Sequence, residues 1–391
     1  MNTILTVYKK EIKDTLRDKR TLLTAIVLPA IIIPLLLFGT TKLTTSLMKK
    51  EADKKLKIVL IGQNDLLTKA LADTSFTLLT NFNLIDGKAA IAKDSLDAII
   101  EFMPDFYSKA DNLKTGQINV YYKSTSVLLA SRLQDKLAVI KNNMLSERIK
   151  KMNIPIETLT PFEINKVDIA TAKEQIGKLV GGFLPYIFII FCFLGCMYPA
   201  IDLITGEKEK GTMETLLSSP APRFSILMGK IFAIATIGLS AALMTIMGML
   251  VGLKFMPNLP PDFLATINDM VSIKFIIMLF AMLIPLSLFF AGLLSALVIR
   301  AKSFKEAQSI VTPLNFLIIF PALLATFPGV VLNWQTTFVP ILNIALATKE
   351  IIAGTINMAQ YGVIVLSLIA IAFAAAAFSY KQFSKEQMVL N

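Results

Sequence analysis

A stretch of 23 residues without a charge, Leu179 to Ile201, is followed by 29 residues rich in polar groups and then by a second charge-free stretch of 23, Ile231 to Leu253. A helix crosses the hydrocarbon layer with about 20 apolar residues, so each stretch reads as a membrane span. The bilayer core offers no water to an open backbone, which makes a helix bundle the form that such stretches take. Residues 21–41, 275–299 and 351–380 are charge-free runs of comparable or greater length. Another run, 307–348, has 42 uncharged residues and carries Pro313, Pro321, Pro328 and Pro340. It is too long for one span and reads as a span over 307–327 plus a re-entrant or interfacial hairpin over about 333–348 on the outer side. The sum is an α-helical integral membrane protein with six transmembrane helices and both termini inside. Two full spans in the long run would instead put the C-terminus outside.

Charge sets the orientation. Only 17% of residues are charged, against roughly 25% in soluble proteins, and mean hydropathy is +0.64. Segments 1–20, 202–230, 300–306 and 381–391 together hold 15 basic and 9 acidic residues, while the two short loops on the other side hold 3 of each. Basic excess marks the cytosolic side. Segment 42–178 has 21 basic and 16 acidic residues, and loops longer than about 60 residues are exempt from the rule. A multi-pass protein of the cell membrane therefore accounts for the net charge of +11 without nucleic acid as a partner.

The chain has no histidine, which excludes imidazole metal sites, Ser-His and Cys-His nucleophiles and histidine bases. Cys192 and Cys196 lie on one face of one span, too few for zinc, and read as packing residues. No proposed span contains a charge, whereas ion-coupled secondary transporters bury a titratable group at membrane depth. Neutral oxygens on Ser240, Thr312, Asn315 and Asn343 could line a cation pathway. Each is more often a donor that packs one helix on another.

Residues 2–18, NTILTVYKKEIKDTLRD, place Ile4, Leu5, Tyr8, Ile12 and Leu16 near one helical face, with Lys9, Lys10, Lys13 and Arg17 elsewhere. That pattern suits a helix lying in the inner membrane interface. The span over 21–41, broken by Pro29 and Pro34, is too long and lacks the small-residue cleavage site of a removable signal peptide. Beyond it, KIVLIG (57–62), FTLL (76–79), DAIIEF (97–102) and INVYY (118–122) read as strands. Helical patterns at 65–72, 86–94 and 127–151 lie between or after them. The alternation predicts an α/β domain with a largely parallel sheet within 42–178, outside the cell and inserted between the first and second spans. It contains no dinucleotide fingerprint, carboxylate cluster or nucleophile with a base.

The polar segment, DLITGEKEKGTMETLLSSPAPRFSILMGK (202–230), has the G-x-x-x-x-G spacing of a phosphate loop at Gly206 and Gly211. That loop needs Lys next and then Ser or Thr, and here Thr212 and Met213 stand there instead, with Glu207 and Glu209 inside the loop. The match is a coincidence of spacing, and no ATP-binding motif is read in this chain. Met213, Leu216 and Leu217 fall at i, i+3, i+4, predicting a short helix with Glu207, Glu209 and Glu214 exposed, ended by Ser218-Ser219-Pro220-Ala221-Pro222. So short a helix needs something to pack on, and a partner docking there could push on both adjoining spans.

KEIKDTLRDKRTLLTAIVLP (10–29) and GEKEKGTMETLLSSPAPRFSILMGK (206–230) resemble the hallmark stretches of ABC-2 type transporter permeases. The order of parts is similar, as is MPDFYSKADNLKTGQINVYY (103–122) in the exported domain. The resemblance implies the type V exporter fold, with the domain at 42–178 and a five-span region over 179–380. It also implies that ATP and magnesium are bound by a separate cytosolic ATPase, in two copies, acting on two permease chains. By the same resemblance Gly206, Glu207, Glu209, Gly211, Thr212, Glu214, Leu216, Leu217 and Pro220, with Arg223 leading into the next span, form a coupling helix. Lys10, Glu11, Arg17, Asp18 and Arg20 of the interfacial helix would cradle the same ATPase. Within the family the likeness is greatest to sodium-extruding permeases, which implies Na+ as cargo; a drug, an antimicrobial or a lipid is the alternative. A different class of reading is a membrane-tethered sensor or assembly factor that binds a ligand through residues 49–178. A membrane enzyme such as a lipid transferase conflicts with the missing histidine and the charge-free spans.

Overall fold

The computed structural model describes residues 3–62, 76–79, 82–123, 127–153, 155, 170–171, 174, 177, 181–255, 265, 269, 272–327 and 329–384. The chain divides into two compact units, one of Met1–Thr41 with Asp168–Asn391 and one of Lys42–Val167. Each is described by itself.

The chain opens with helix α1, Thr3–Arg17, which buries Ile4, Tyr8 and Ile12 against the helical core and leaves Leu5 and Leu16 exposed. A short helix, Lys19–Leu22, and a π-helical turn, Leu23–Val27, lead into α2, Leu28–Asp53. Pro29 and Pro34 do not interrupt the chain as expected. The wider π turn, Leu23–Val27, ends two residues before Pro29 and contains Ala25, the residue whose carbonyl a proline ring at 29 would meet in a regular helix.

In the second unit a four-stranded sheet has the order β2-β1-β3-β4, with β1 Leu56–Ile61, β2 Phe76–Leu79, β3 Ala98–Phe102 and β4 Ile118–Tyr122. β1 pairs in parallel with both β2 and β3, and β4 runs antiparallel to β3. Helices α3 (Leu84–Ala92), α4 (Phe106–Asp111) and α5 (Val127–Met152) accompany it. Ile58, Leu60, Ala98 and Ile100 pack with Leu129 and Leu133 of α5. Val59 and Ile99 point the other way, onto Ile91 of α3. Burial on both faces explains why β1 and β3 read as unbroken apolar runs rather than alternating ones. The helix expected at 65–72 lies outside the described residues.

The first unit resumes with α6, Phe183–Ala200, which continues through a π-helical Ile201–Gly206 and a turn, Glu207–Glu209. Then come α7 Thr212–Leu217, α8 Arg223–Lys254, α9 Ile273–Val298, α10 Phe304–Leu324, α11 Leu342–Ala353 and α12 Met358–Phe383. Five described helices are long and apolar enough to cross a membrane: Phe183–Glu209, α8, α9, α10 and α12. The first span expected from sequence falls partly on α2, whose apolar stretch, Leu28–Leu43, is shorter than the others.

Small residues bring these helices together, the device of membrane bundles. A side chain at Gly238 of α8 would lie 2.1 Å from Cys196 Sγ on α6, and one at Gly248 would lie 2.7 Å from the Ala30 carbonyl of α2. Cys192 and Cys196 are unpaired thiols with no exposed surface, inside the packed core. The hairpin expected at 333–348 is a 3₁₀ turn, Thr336–Phe338, followed by α11. At 12 residues α11 is too short to span, and it carries Lys349 and Glu350, beyond the charge-free run. Trp334 and Phe338 are exposed beside it. Gly354, at φ +77°, ends α11 in the left-handed conformation that glycine tolerates best.

Candidate coupling site

Lys230 has no exposed surface, and its surroundings define the site. It lies in the second turn of α8, where Gly229 lets α1 approach closely: a side chain at 229 would meet Val7 Cβ at 2.7 Å and the Ile4 carbonyl at 3.0 Å. A buried ammonium is tolerated only when opposite charge and hydrogen bonds replace its water. Its Nζ lies 3.0 Å from Glu11 Oε1 on α1 and 2.8 Å from Glu207 Oε2 beyond α6, and donates to the Leu203 carbonyl at 2.8 Å. Lys10 closes the cluster from the rim, 3.2 Å from Glu11 Oε1 and 3.3 Å from Glu207 Oε1. Two cations and two carboxylates thus join three chain segments in a neutral group. Burial pulls the Lys10 pKa down, but attraction to Glu11 and Glu207 outweighs it and holds the ammonium above the ordinary value of 10.5.

The same short stretch is fastened on its other side. Thr205, fully buried, donates to the Val298 carbonyl at 2.9 Å, and Lys208 Nζ donates to the Ile299 carbonyl at 3.1 Å. Glu209 Oε2 accepts the Phe304 amide at 3.0 Å. These bonds reach the C-terminus of α9 and the N-terminus of α10, helix ends whose carbonyl and amide groups lack partners within their own helix. Ser303 and Glu306 complete the start of α10: Ser303 Oγ accepts from the Glu306 amide and Glu306 Oε2 from the Lys302 amide.

Several expected roles change. Helix does not end at Asp202 but runs to Glu209, so the non-helical part of the loop is shorter. Glu207 is not exposed: its side chain is 15% accessible and is held in the ion cluster. Glu11, at 1%, faces the core rather than a partner, because a carboxylate there neutralises Lys230. Met213 is likewise buried, at 1%, in the chain's own core and is not part of a docking face. Glu209, Thr212 and Pro220 are exposed, as are Arg17 and Asp18, while Lys10 is half exposed. The side chains of Arg20, Glu214, Leu216 and Leu217 lie outside the described residues. A side chain at Gly206 would meet Asp202 Oδ1 at 2.9 Å, a contact that the exposed Asp202 side chain can swing away to relieve. Gly211 has open space but φ +69°, so its need is conformational. Arg223 donates to the Ser384 carbonyl at 3.4 Å, tying the start of α8 to the end of α12.

The oxygens considered for a cation pathway come from three helices, Ser240 on α8, Thr312 and Asn315 on α10, and Asn343 on α11. Ser240 and Thr312 donate to carbonyls four residues back in their own helices, Thr236 and Gln308. Asn343, buried at the start of α11, donates to the Thr337 carbonyl at 3.0 Å. Asn315 is partly exposed on α10. No hydrogen bond links any two of the four among the described residues. Nor do His, Cys, Asp and Glu gather there in any group of three that could hold a metal ion.

Lys230 is the residue that sequence reasoning missed. It stands one position before a charge-free run and so reads as a lead-in to the span, although 219 residues separate it from the glutamate that it binds.

Comparison with known proteins bears on the whole chain. It is 26% identical over 363 residues to the ABC transporter permease protein NatB of Bacillus subtilis, an alignment covering 90% of each chain. It is 23% identical over 392 residues to the uncharacterized protein MJ1024 of Methanocaldococcus jannaschii, covering 90% of this chain and 89% of that one. No solved structure matches it. The profile described as ABC-2 family transporter protein matches residues 5–388, a span that takes in α1, the sheet, the ion cluster and every apolar helix, and on that extent the chain belongs to the ABC-2 transporter family.

Proposed function

We propose that this chain is the membrane-spanning subunit of an ATP-driven exporter, worked by a separate cytosolic ATPase that docks on α7 and α1. Membership of the ABC-2 family implies such an ATPase. In this reading two ATPase subunits act on two permease chains, the termini are cytosolic and residues 42–178 lie outside. The basic excess in the segments around α1 and the α9–α10 corner supports that orientation.

The observation that carries the proposal is the buried Lys230, bound to Glu11 and Glu207 together. It makes α1, the end of the α6 rod and the start of α8 one rigid block, while Thr205, Lys208 and Glu209 extend the block to α9 and α10. A displacement of α7 by an ATPase then moves membrane helices instead of flexing a loop. Sodium is the cargo to test first, on the strength of the resemblance to sodium-extruding permeases. A drug, an antimicrobial or a lipid is the alternative.

The test is co-purification of tagged protein from native membranes in mild detergent, with mass identification of stoichiometric partners. A P-loop ATPase retained by the wild type and lost from Leu216→Asp or Glu214→Lys supports the reading. Glu207→Lys is not a clean probe, since it would add a third cation to the buried cluster. If the wild type brings down no ATPase under conditions that preserve comparable complexes, the exporter has no engine. Ligand screens on the region 49–178 then become the next step.

A further inference from the structure

Two apolar grooves lie side by side at the α8–α9 seam. The first is walled by Ile4, Leu5 and Tyr8 of α1 and has a volume of 450 Å³. The second is walled by Phe224 of α8 and by Phe373, Ala377 and Tyr380 of α12, and has a volume of 330 Å³. Phe232 of α8 and Leu288 of α9 line both grooves, so these two side chains form a ridge between the halves of one depression. We propose that the depression holds a single phospholipid with an anionic headgroup, one acyl chain on each side of the Phe232–Leu288 ridge.

The lining selects hydrocarbon. Tyr8 and Thr236 hydroxyls face each other at 3.3 Å, and Ser287 Oγ donates to the Ile284 carbonyl at 2.8 Å, so the polar atoms of the first groove are already engaged. The second groove is lined almost wholly by apolar side chains. Both open outward rather than into the bundle: Leu5 is 49% exposed and Phe373 is 72% exposed. That is the access a bilayer lipid has and an enclosed cargo does not.

Charge selects the headgroup. Residues four apart share a helix face, so Leu5, Lys9 and Lys13 form one stripe of α1, and Phe373, Ala377 and Lys381 form one stripe of α12. In each stripe the residues lining the groove are followed by exposed lysines. Arg223, at the first position of α8 next to Phe224 and bonded to the Ser384 carbonyl, adds a fourth cation. Two hydrocarbon slots with basic residues at their ends match a two-chain lipid of negative charge. The assignment rests on the proposed function only in placing this end of the bundle in the inner leaflet.

The experiment extracts the full chain with its surrounding lipid in a polymer nanodisc and quantifies bound phospholipid by mass spectrometry against the bulk membrane. The expected result is one anionic phospholipid per chain, enriched over bulk. Lys9→Gln and Lys381→Gln should each lower that enrichment about fivefold, the factor for one lysine near an anionic lipid surface. Both lysines are exposed, so neither change threatens folding. Ala377→Trp should displace the lipid by filling the second groove. Lipid at bulk composition, or enrichment untouched by the three substitutions, overturns the proposal. The ATPase is measured in the same preparation. Its retention without lipid enrichment sinks the lipid site alone, and its absence beside an enriched lipid sinks the exporter reading alone.

Discussion

Lys230 Nζ and Glu11 Oε1 stand 3.0 Å apart with almost no solvent reaching either side chain. Removing the cation leaves Glu11 and Glu207 without compensation in a dry environment. Lys230→Met is therefore expected to cost about 3–5 kcal/mol, the usual price of a broken buried pair, seen as a lower unfolding temperature in detergent. Glu11→Gln added to Lys230→Met should recover part of the loss, a non-additivity that a double-mutant cycle measures. Strict additivity would mean that the two side chains do not interact.

Thr205 and Glu209 fasten the α6 rod to the α9–α10 corner. Thr205→Val keeps the shape and deletes one donor, and Glu209→Gln weakens the acceptor of the Phe304 amide. Each is expected to reduce stability by about 1 kcal/mol and, in the double variant, to lower transport per ATP hydrolysed. Full coupling in a variant that unfolds at a lower temperature would show that the corner carries no force.

Gly238 faces Cys196 Sγ so closely that any side chain must displace it. Gly238→Ala is expected to destabilise by roughly 1–3 kcal/mol through overpacking. Cys196→Ala in the same chain should relieve part of this by removing the sulfur. A Gly238→Ala protein as stable as wild type would mean that α6 and α8 pack less closely.

Lys10 is held above 10.5 by its two glutamates. A cation with a raised folded pKa contributes stability that is fully present below its unfolded value and is lost only as pH rises through the folded one. Its half-exposed side chain makes Lys10→Met worth no more than about 1 kcal/mol. The difference from wild type, followed by thermal unfolding across the neutral range, should not vary with pH. A difference that fades between about pH 6 and 8 would point to another titrating group.

Phe316, Leu317 and Phe320 on α10 are 64% exposed or more, an apolar face suited to a second permease chain. Phe320→Cys is expected to form a disulfide-linked dimer on oxidation if that chain is identical. Monomer alone would send the search to a different permease subunit or to lipid.

Hydropathy made the long helices legible because burial in lipid demands about 20 apolar residues in a row. Strands β1 to β4 fall within one residue of the runs expected, since a sheet covered on both faces leaves continuous apolar signatures. Other features depend on contacts that no local pattern records. Glu11 and Glu207 look like surface charges on amphipathic segments until Lys230 is placed between them. Met213 has the spacing of a docking residue and turns inward because the α6 rod, longer than its charge-free run, delivers α7 back to the core. The first span, 21–41, reads as broken at Pro29 and Pro34, yet the irregularity is a π turn over Leu23–Val27 and the helix runs on through Pro34, and periodicity does not distinguish a π turn from an α turn.

In the proposed coupling, partner recognition and structural support would occupy different residues, because the α6 rod stays helical to Glu209. Thr205, Glu207, Lys208 and Met213 are buried or partly buried and, with the exposed Glu209, bond or pack to the bundle, while Thr212, Thr215, Ser218, Pro220 and Pro222 form an exposed outer skin. Exchanging only that skin for the corresponding residues of another ABC-2 permease should transfer allegiance to a foreign ATPase while leaving the membrane half of the molecule unchanged. The fold thereby lets partner choice drift without rebuilding the transporter.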